Sequence, residues 1–330
     1  MKLGKLTDSE LQSYIFTHIH HRRDEVLLSS GVGIDTGVLD LGEHLAVLSI
    51  DPITGSESEL GSLAINVSAN DVASEGAEPV GVLLSVLAPP TATLEALESI
   101  MIQADEQAAR LHLEIIGGHT EVTDAVNRIV VTSMVIGKLR RDHLMDPKAI
   151  EPGDVVCVSK EIAIEGTMIL KDLKPITLTA EEMQAAEGLA SKLSVVKEAA
   201  SAMACGVKFM HDITEGGVYG ALIETAHSID KALRIEKACI PIGSLQRRIA
   251  EAYEIDPYRL ISSGSMVMIF SKDDFKRLRS EVAITAIGTV EEGSGVTLIS
   301  DEGSLHLTET TTDELYRALQ SPNLEEKHEN

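Results

Sequence analysis

Tryptophan is absent, and five Tyr and four Phe among 330 residues make an aromatic share of only 3%. A core must therefore rest on Leu, Ile, Val, Ala and Met, and too few aromatic faces remain for stacking single-stranded bases. Basic residues are also scarce: 28 Lys and Arg stand against 52 Asp and Glu, a formal net charge of −24. Such a field repels nucleic-acid phosphates and anionic lipid surfaces. The basic clusters His20-His21-Arg22-Arg23 and Lys138-Leu139-Arg140-Arg141 are too short to make a binding stripe. Neither nucleic acid nor membrane is expected as a partner. Cys157, Cys205 and Cys239 lie far apart and outside any C-x-x-C spacing, which excludes a disulfide framework and a zinc site. Cys157, inside Val155-Val156-Cys157-Val158, reads as a buried, inert thiol. No run approaches the ~18 apolar residues of a membrane helix, and the first residues lack an apolar signal core. The expected location is cytoplasmic.

Several catalytic devices are missing as well. There is no G-x-x-x-x-G-K-[ST] loop, no G-x-S-x-G elbow and no H-E-x-x-H. Gly31-Val32-Gly33…Gly37 has the wrong spacing for a dinucleotide fingerprint and precedes a strand where the fingerprint should follow one. A nucleotide, if bound, is held by other means.

What remains is a 44% hydrophobic chain in which helical and strand periodicities alternate. This predicts an α/β (α+β) fold with two domains. Thr7-Asp8-Ser9-Glu10 is a capping box. Strands are expected at 45–50, 80–87, 113–116 and 128–136, with helices at 60–74 and 94–111. Pro147, Pro152 and Gly153 break the pattern. The boundary is placed there, giving domains 1–145 and 146–330. The second domain repeats the grammar with a strand at 154–159, a helix at 162–173, and a long helix from the Thr179-Ala180-Glu181-Glu182 box to Gly206. A strand at 207–210, a helix at 218–227 and strands near 233–236, 266–271 and 284–290 follow. Glu325 to Asn330 reads as a solvated tail.

Carboxylates and glycines recur at the ends of these strands. Asp35 sits in Gly31-Val32-Gly33-Ile34-Asp35-Thr36-Gly37, and Asp51 follows Leu45 to Ile50. Asn70-Asp71 lies in Ala69-Asn70-Asp71-Val72-Ala73-Ser74-Glu75-Gly76-Ala77-Glu78-Pro79. Gly117-Gly118-His119-Thr120-Glu121 and His211-Asp212-Ile213-Thr214-Glu215-Gly216-Gly217 come later. Converging acids repel one another unless a hard cation joins them, and oxygen-only ligation suits Mg²⁺ shared with a phosphate. Glycine pairs let backbone N–H groups approach phosphate oxygens. Taken singly, Asp71 could cap a helix, Asp51 start a turn at Pro52, and Asp212 form an Asx turn.

In order, G-x-D-x-x-V, D-P-I-T-G, N-V-S-A-N-D-V-A-S-E-G-A-E-P, G-G-H-T-E and D-I-T-E-G-G resemble the aminoimidazole ribonucleotide (AIR) synthase superfamily, from about Gly31 to Ile269. Thiamine-monophosphate kinase, selenophosphate synthetase and the HypE-type hydrogenase maturation proteins belong to it, and this chain is most similar to the HypE-like, AIR-synthase-related branch. The resemblance implies a first-half sheet that pairs in a homodimer, a second α/β half, and ATP lying between them. It implies that Asp35, Asp51, Asp71 and Asp212 bind Mg²⁺, with Glu121 a further candidate. Asn70, Gly117, Gly118 and Thr120 would line the nucleotide, Asp35, Asp71 and His119 would serve the chemistry, and Ser262, Ser263 and Gly264 would face a small-molecule substrate. The implied reaction is ATP-dependent phosphoryl transfer, which needs positioning and charge neutralisation more than covalent help.

Three departures bear on the reaction. Ile34 stands where the family often has a second acid beside Asp35. His119 follows the glycine pair where several branches place an acid, so Glu121 or Asp124 takes over or His119 itself touches phosphate or substrate. HypE proper ends in a cysteine that is carbamoylated and dehydrated, whereas this sequence ends His328-Glu329-Asn330 and its last cysteine is Cys239. The expectation is a Mg·ATP enzyme with an unidentified substrate. Its rivals are a maturation factor acting on a protein partner and a nucleotide-binding dimer without turnover.

Overall fold

The computed structural model describes residues 6–29, 31, 33–53, 59–171, 173, 176–278, 282–309 and 312–320. Thr54 and Gly55 of the D-P-I-T-G segment, and the tail from Glu325 to Asn330, lie outside the described residues. The chain divides into two compact units, one of His21–Ser30 with Ile34–Leu144, the other of Met1–His20, Gly31–Gly33 and Met145–Asn330. In the latter, the Thr7–Glu10 capping box forms around a single turn α1 (Asp8–Glu10): Thr7 N donates to Glu10 Oε2 at 2.9 Å and Glu10 N to Thr7 Oγ1 at 3.3 Å.

The unit containing Ile34–Leu144 is built on β1 (Val26–Leu28), β2 (Gly37–Asp40), β3 (His44–Ile53), α2 (Leu60–Ser74), β4 (Glu78–Ala88), α3 (Leu94–Leu111), β5 (Glu114–Val122) and β6 (Val130–Arg140). The six strands form one sheet in the order β1-β2-β3-β6-β4-β5, in which only β4 and β5 run parallel. Helix α2 is buried along almost its whole length because it packs on β3 and β6 on one side and α3 on the other. Two glycines permit this approach. A Cβ at Gly61 would lie 2.1 Å from Ile100 O on α3, and one at Gly137 would lie 2.3 Å from Val72 Cγ1. Thr93 caps α3 by accepting from Ala96 N at 3.2 Å.

Strand alternation shows which sheet face α2 covers. Leu45, Val47 and Ser49 on β3 are buried, while Ala46 and Leu48 are half-buried and Ile50 is exposed. On β6, Val131, Ser133 and Val135 are buried and Met134 and Ile136 half-buried. Both faces of this sheet are thus largely apolar, and one of them is covered by α2. Edge strand β5 is exposed along nearly its full length. It also continues through Gly117-Gly118 to Val122, so the expected strand end and glycine turn at this place are corrected to mid-strand positions. The parallel ladder with β4 shifts register between Val82–Ile115 and Leu83–Gly117 and then continues with Leu84 opposite Gly118.

The other unit contains β7 (Val155–Ser159), α4 (Ile164–Leu170), α5 (Ala180–Leu189), α6 (Val196–Ala204), β8 (Phe209–Asp212), α7 (Gly217–Ser228), β9 (Ala232–Glu236), α8 (Ser244–Ala252), β10 (Met266–Phe270), α9 (Lys272–Leu278), β11 (Ile284–Glu291), β12 (Gly295–Ser300), β13 (Gly303–Leu307) and α10 (Glu314–Leu319). Its seven-stranded sheet has the order β13-β12-β9-β11-β7-β10-β8, and only β9 and β12 run parallel. A core of Val156, Val158, Ile213, Val218, Leu222, Leu233, Val267 and Leu298 joins α7 to this sheet. The capping box at Thr179 opens α5 as the spacing requires. The single helix expected from there to Gly206 is instead two, α5 and α6, parted at 190–195 by a short 3-10 turn (Ala190–Lys192) and the residues after it. Ser194 makes the break: its Oγ accepts from Val196 N at 3.2 Å, and its carbonyl oxygen accepts from Lys160 Nζ at 2.6 Å. No described helix is long and apolar enough to cross a membrane.

Candidate functional site

The core-facing side of β3 turns from apolar to polar midway. Leu45 and Val47 are followed at the same two-residue interval by Ser49 and Asp51. Opposite them on α2, Ser68 and Asp71 are three residues apart and therefore share a face. The four side chains meet. Ser49 Oγ lies 2.5 Å from Asp71 Oδ2 and 3.1 Å from Asp51 Oδ2, and Ser68 Oγ lies 3.1 Å from the same Asp51 oxygen. Ser68 Oγ is also 2.7 Å from Ser133 Oγ, which donates to Ala64 O at 2.6 Å. Asp71 is buried and Asp51 half-buried.

Ser49 has one hydroxyl proton and faces two carboxylate oxygens, so it donates to one of them at a time. Two carboxylates this close repel unless a cation or a proton intervenes. Every donor atom here is a hard oxygen, which fits Mg²⁺ and not a thiophilic metal. The structure therefore brings Asp51 and Asp71 together, through hydroxyls that the motif reading passed over. Their signal was present in the sequence as polar residues at two consecutive core-facing positions of a strand.

The other residues of this unit that were expected to act are placed as follows. Asn70 is fully buried in α2, and its carbonyl accepts from Ser74 Oγ at 2.8 Å. Asp35 is exposed on the segment leading into β2. Its neighbour Thr36 is buried and donates to Glu75 Oε2 at 3.3 Å. Burial pushes the Glu75 carboxyl above the usual range, and the Thr36 hydrogen bond opposes it. On β5, His119 and Glu121 are exposed and on one face, with Nε2 3.4 Å from Oε2. They register beside Ser85 and Leu87 of β4, while Thr120 registers beside Val86. Gly117 and Gly118 precede them in the same strand.

In the unit of the seven-stranded sheet, Asp212 is the buried last residue of β8, and His211 Nε2 is 3.0 Å from Glu224 Oε2 on α7. Gly216 N, in the turn that follows, donates to Asp313 Oδ2 at 2.6 Å, and Leu315 N donates to Asp313 Oδ1 at 2.8 Å. Burial pushes the Asp313 carboxyl up to about 6 despite these N–H donors, and the nearby Glu215 adds to the rise. Ser262, Ser263 and Ser265 are buried. Ser262 Oγ accepts from Ala163 N at 2.7 Å and lies 2.9 Å from Ser265 Oγ. Ser263 hydrogen-bonds Glu165, whose carboxyl is nevertheless held high by burial. Gly264 has a φ of +106°, and a Cβ there would lie 2.5 Å from Lys192 O, so both its backbone and its packing favour glycine. This serine turn is thus internally bonded and packed.

Residues 33–139 match the N-terminal domain of AIR synthase related proteins, and residues 151–301 match the C-terminal domain. A Methanocaldococcus jannaschii protein with a provisional hydrogenase expression/formation name is 27% identical over 262 residues, 76% of this chain and 76% of its own length. The carbamoyl dehydratase HypE of Escherichia coli K12 is 24% identical over 258 residues, 76% of this chain and 75% of that protein. Among solved structures, a hydrogenase maturation protein HypE in complex with ATP superposes with a TM-score of 0.72 at 18% identity, over 96% of this chain and 98% of that one. AaThiL complexed with AMPPCP and TMP gives 0.72 at 19% identity, over 86% of this chain and 92% of that one. With both domains matched in order along the greater part of its length, this chain belongs to the AIR synthase related family.

Proposed function

We propose that this protein binds Mg·ATP and transfers or cleaves its terminal phosphoryl group on a small substrate. The carrying observation is the Asp51–Asp71 pair, two carboxylates spanned by the single hydroxyl of Ser49. Asp51 and Asp71 would hold the cation, which when bound neutralises phosphate charge and favours in-line transfer. Ser68 and Ser133 brace Asp51 from the side of α2 and β6. Asp35 and Asp212 are assigned to cation binding on resemblance, each within its own unit, with Glu121 a further oxygen donor. Asn70, Gly117, Gly118 and Thr120 are assigned to the nucleotide on the same ground. His119 is the exposed group we assign to substrate or phosphate, its ring neighboured by Glu121. Ser262, Ser263 and Gly264 are assigned to the substrate, with the buried Glu165 behind them.

The relatives and structures matched in the fold support ATP as the nucleotide, since HypE is solved with ATP and AaThiL with AMPPCP. The names of the two relatives favour a second reading, a step in hydrogenase maturation carried out on a partner protein. Calorimetric titration with ATP, with and without Mg²⁺, tests the main reading. Wild type is expected to bind ATP in a Mg²⁺-dependent way, and Asp71→Ala to lose that dependence. An unchanged Asp71→Ala titration would remove the assignment.

A further inference from the structure

Ser49 lies in none of the five family-like segments, yet it is the atom-level link between the two acids. It is buried on β3, one position past the β2–β3 pair Gly37–Leu48 and two before Asp51. Its Oγ stands 2.5 Å from Asp71 Oδ2 on α2 and 3.1 Å from Asp51 Oδ2 on its own strand. A serine serving only to fasten α2 to the sheet needs one acceptor. Ser133 does that work already by donating to Ala64 O at 2.6 Å. Ser49 instead faces two carboxylates, its one proton donated to either in turn while its oxygen stays within 3.1 Å of both.

We propose that Ser49 is the positioning residue that sets the divalent-cation affinity of the Asp51–Asp71 pair. This rests on the functional reading above and deepens it. Without the hydroxyl between them the two carboxylates lose a donor that offsets their repulsion, while Ser68 still holds Asp51, and their spacing is free to widen. A cation must afterwards draw them together again, and its affinity falls by the cost of that reorganisation. Partners of this kind, which orient ligands without binding the metal, typically alter affinity about 10- to 100-fold when removed.

The test is a titration of the full chain with Mn²⁺ in the presence of AMPPCP, followed by the electron paramagnetic resonance signal of free Mn²⁺. Ser49→Ala is expected to weaken Mn²⁺ binding by about tenfold or more, and Ser49→Thr to restore it. Gln107→Ala serves as the structural control. It deletes the buried bond from Gln107 Nε2 to Asn66 Oδ1, 2.8 Å long and joining α3 to α2, and should lower Tm while leaving Mn²⁺ affinity at the wild-type value. If Ser49→Ala does not fold, the near-isosteric pair Ser49→Thr and Ser49→Val reads the hydroxyl alone. Wild-type affinity in Ser49→Ala, or in Ser49→Val, overturns the proposal whatever happens to Tm. Absence of Mn²⁺ binding by the wild type overturns the functional reading itself, and the role of Ser49 with it.

Discussion

Asp51, Asp71 and Asp313 are all carboxylates drawn towards the interior, and their different partners give them different tasks. Asp51 and Asp71 face hydroxyl groups and each other, the arrangement to which we assign a cation. Asp313 receives backbone N–H groups from Gly216 and Leu315 and caps α10, an arrangement complete in itself. Burial raises its carboxyl from 3.8 to about 6 in the fold. The native state then keeps a proton that the unfolded chain surrenders, so its contribution to stability is full below pH 3.8 and is lost as pH rises through about 6. A shift of this size corresponds to at most about 3 kcal/mol. Urea unfolding at pH 4 and pH 7 should show wild type losing more stability over that interval than Asp313→Asn; equal losses would contradict the assigned shift. At this scale Asp51 and Asp71 stood out in the sequence as an acid following a strand and an acid near a helix end, each within a family-like segment. Ser49, Ser68 and Ser133 were not legible. A serine is inexpensive to bury, and only the meeting of β3, α2 and β6 reveals what its hydroxyl touches.

Among the elements, the longest regular pieces follow from periodicity: α2, α3, β4 and α7 run within a few residues of where the apolar pattern puts them. The departures have local causes. Ser194 interrupts α5–α6 with contacts from Lys160, a residue 34 positions away, and no local pattern encodes that. The hairpin β12–β13 and helices α8, α9 and α10 were not read from the sequence at all; each is short, and much of β13 is exposed. In β5 the glycines looked like a turn, whereas the strand passes through them. A Cβ at Gly118 would lie 1.9 Å from Leu84 O, so the parallel ladder with β4 demands glycine there regardless of any phosphate. Gly118→Ala is therefore expected to destabilise the protein by about 1–3 kcal/mol in urea unfolding without nucleotide. A stability equal to wild type would mean that the glycine serves the ligand alone.

For the whole molecule, assembly turns on the sheet face opposite α2. Leu48, Ile50, Met134 and Ile136 make it apolar, Ile50 is 63% exposed, and the bordering strand β5 carries Ile116 and Val122 exposed at 52% and 64%. An apolar sheet face beside an unpaired edge is a surface that seeks cover. The family resemblance supplies the occupant we propose, a second copy of this chain. Light scattering should then give twice the chain mass for wild type and the single mass for Ile50→Glu, with folding intact by circular dichroism. A monomeric wild type would contradict it. The family was readable from five segments whose acids and glycines stand in the family's order along both matched domains.

Whether a divalent cation sits between Asp51 and Asp71, as we propose, is read from anomalous diffraction of crystals grown with Mn²⁺ and AMPPCP. The account predicts an anomalous peak with carboxylate oxygens of both Asp51 and Asp71 at about 2–2.3 Å, the range of hard-cation ligation, and a phosphate oxygen of the nucleotide in the same coordination shell. A nucleotide-bound crystal whose Mn²⁺ lies elsewhere, with Ser49 Oγ still bridging the two carboxylates, would contradict it.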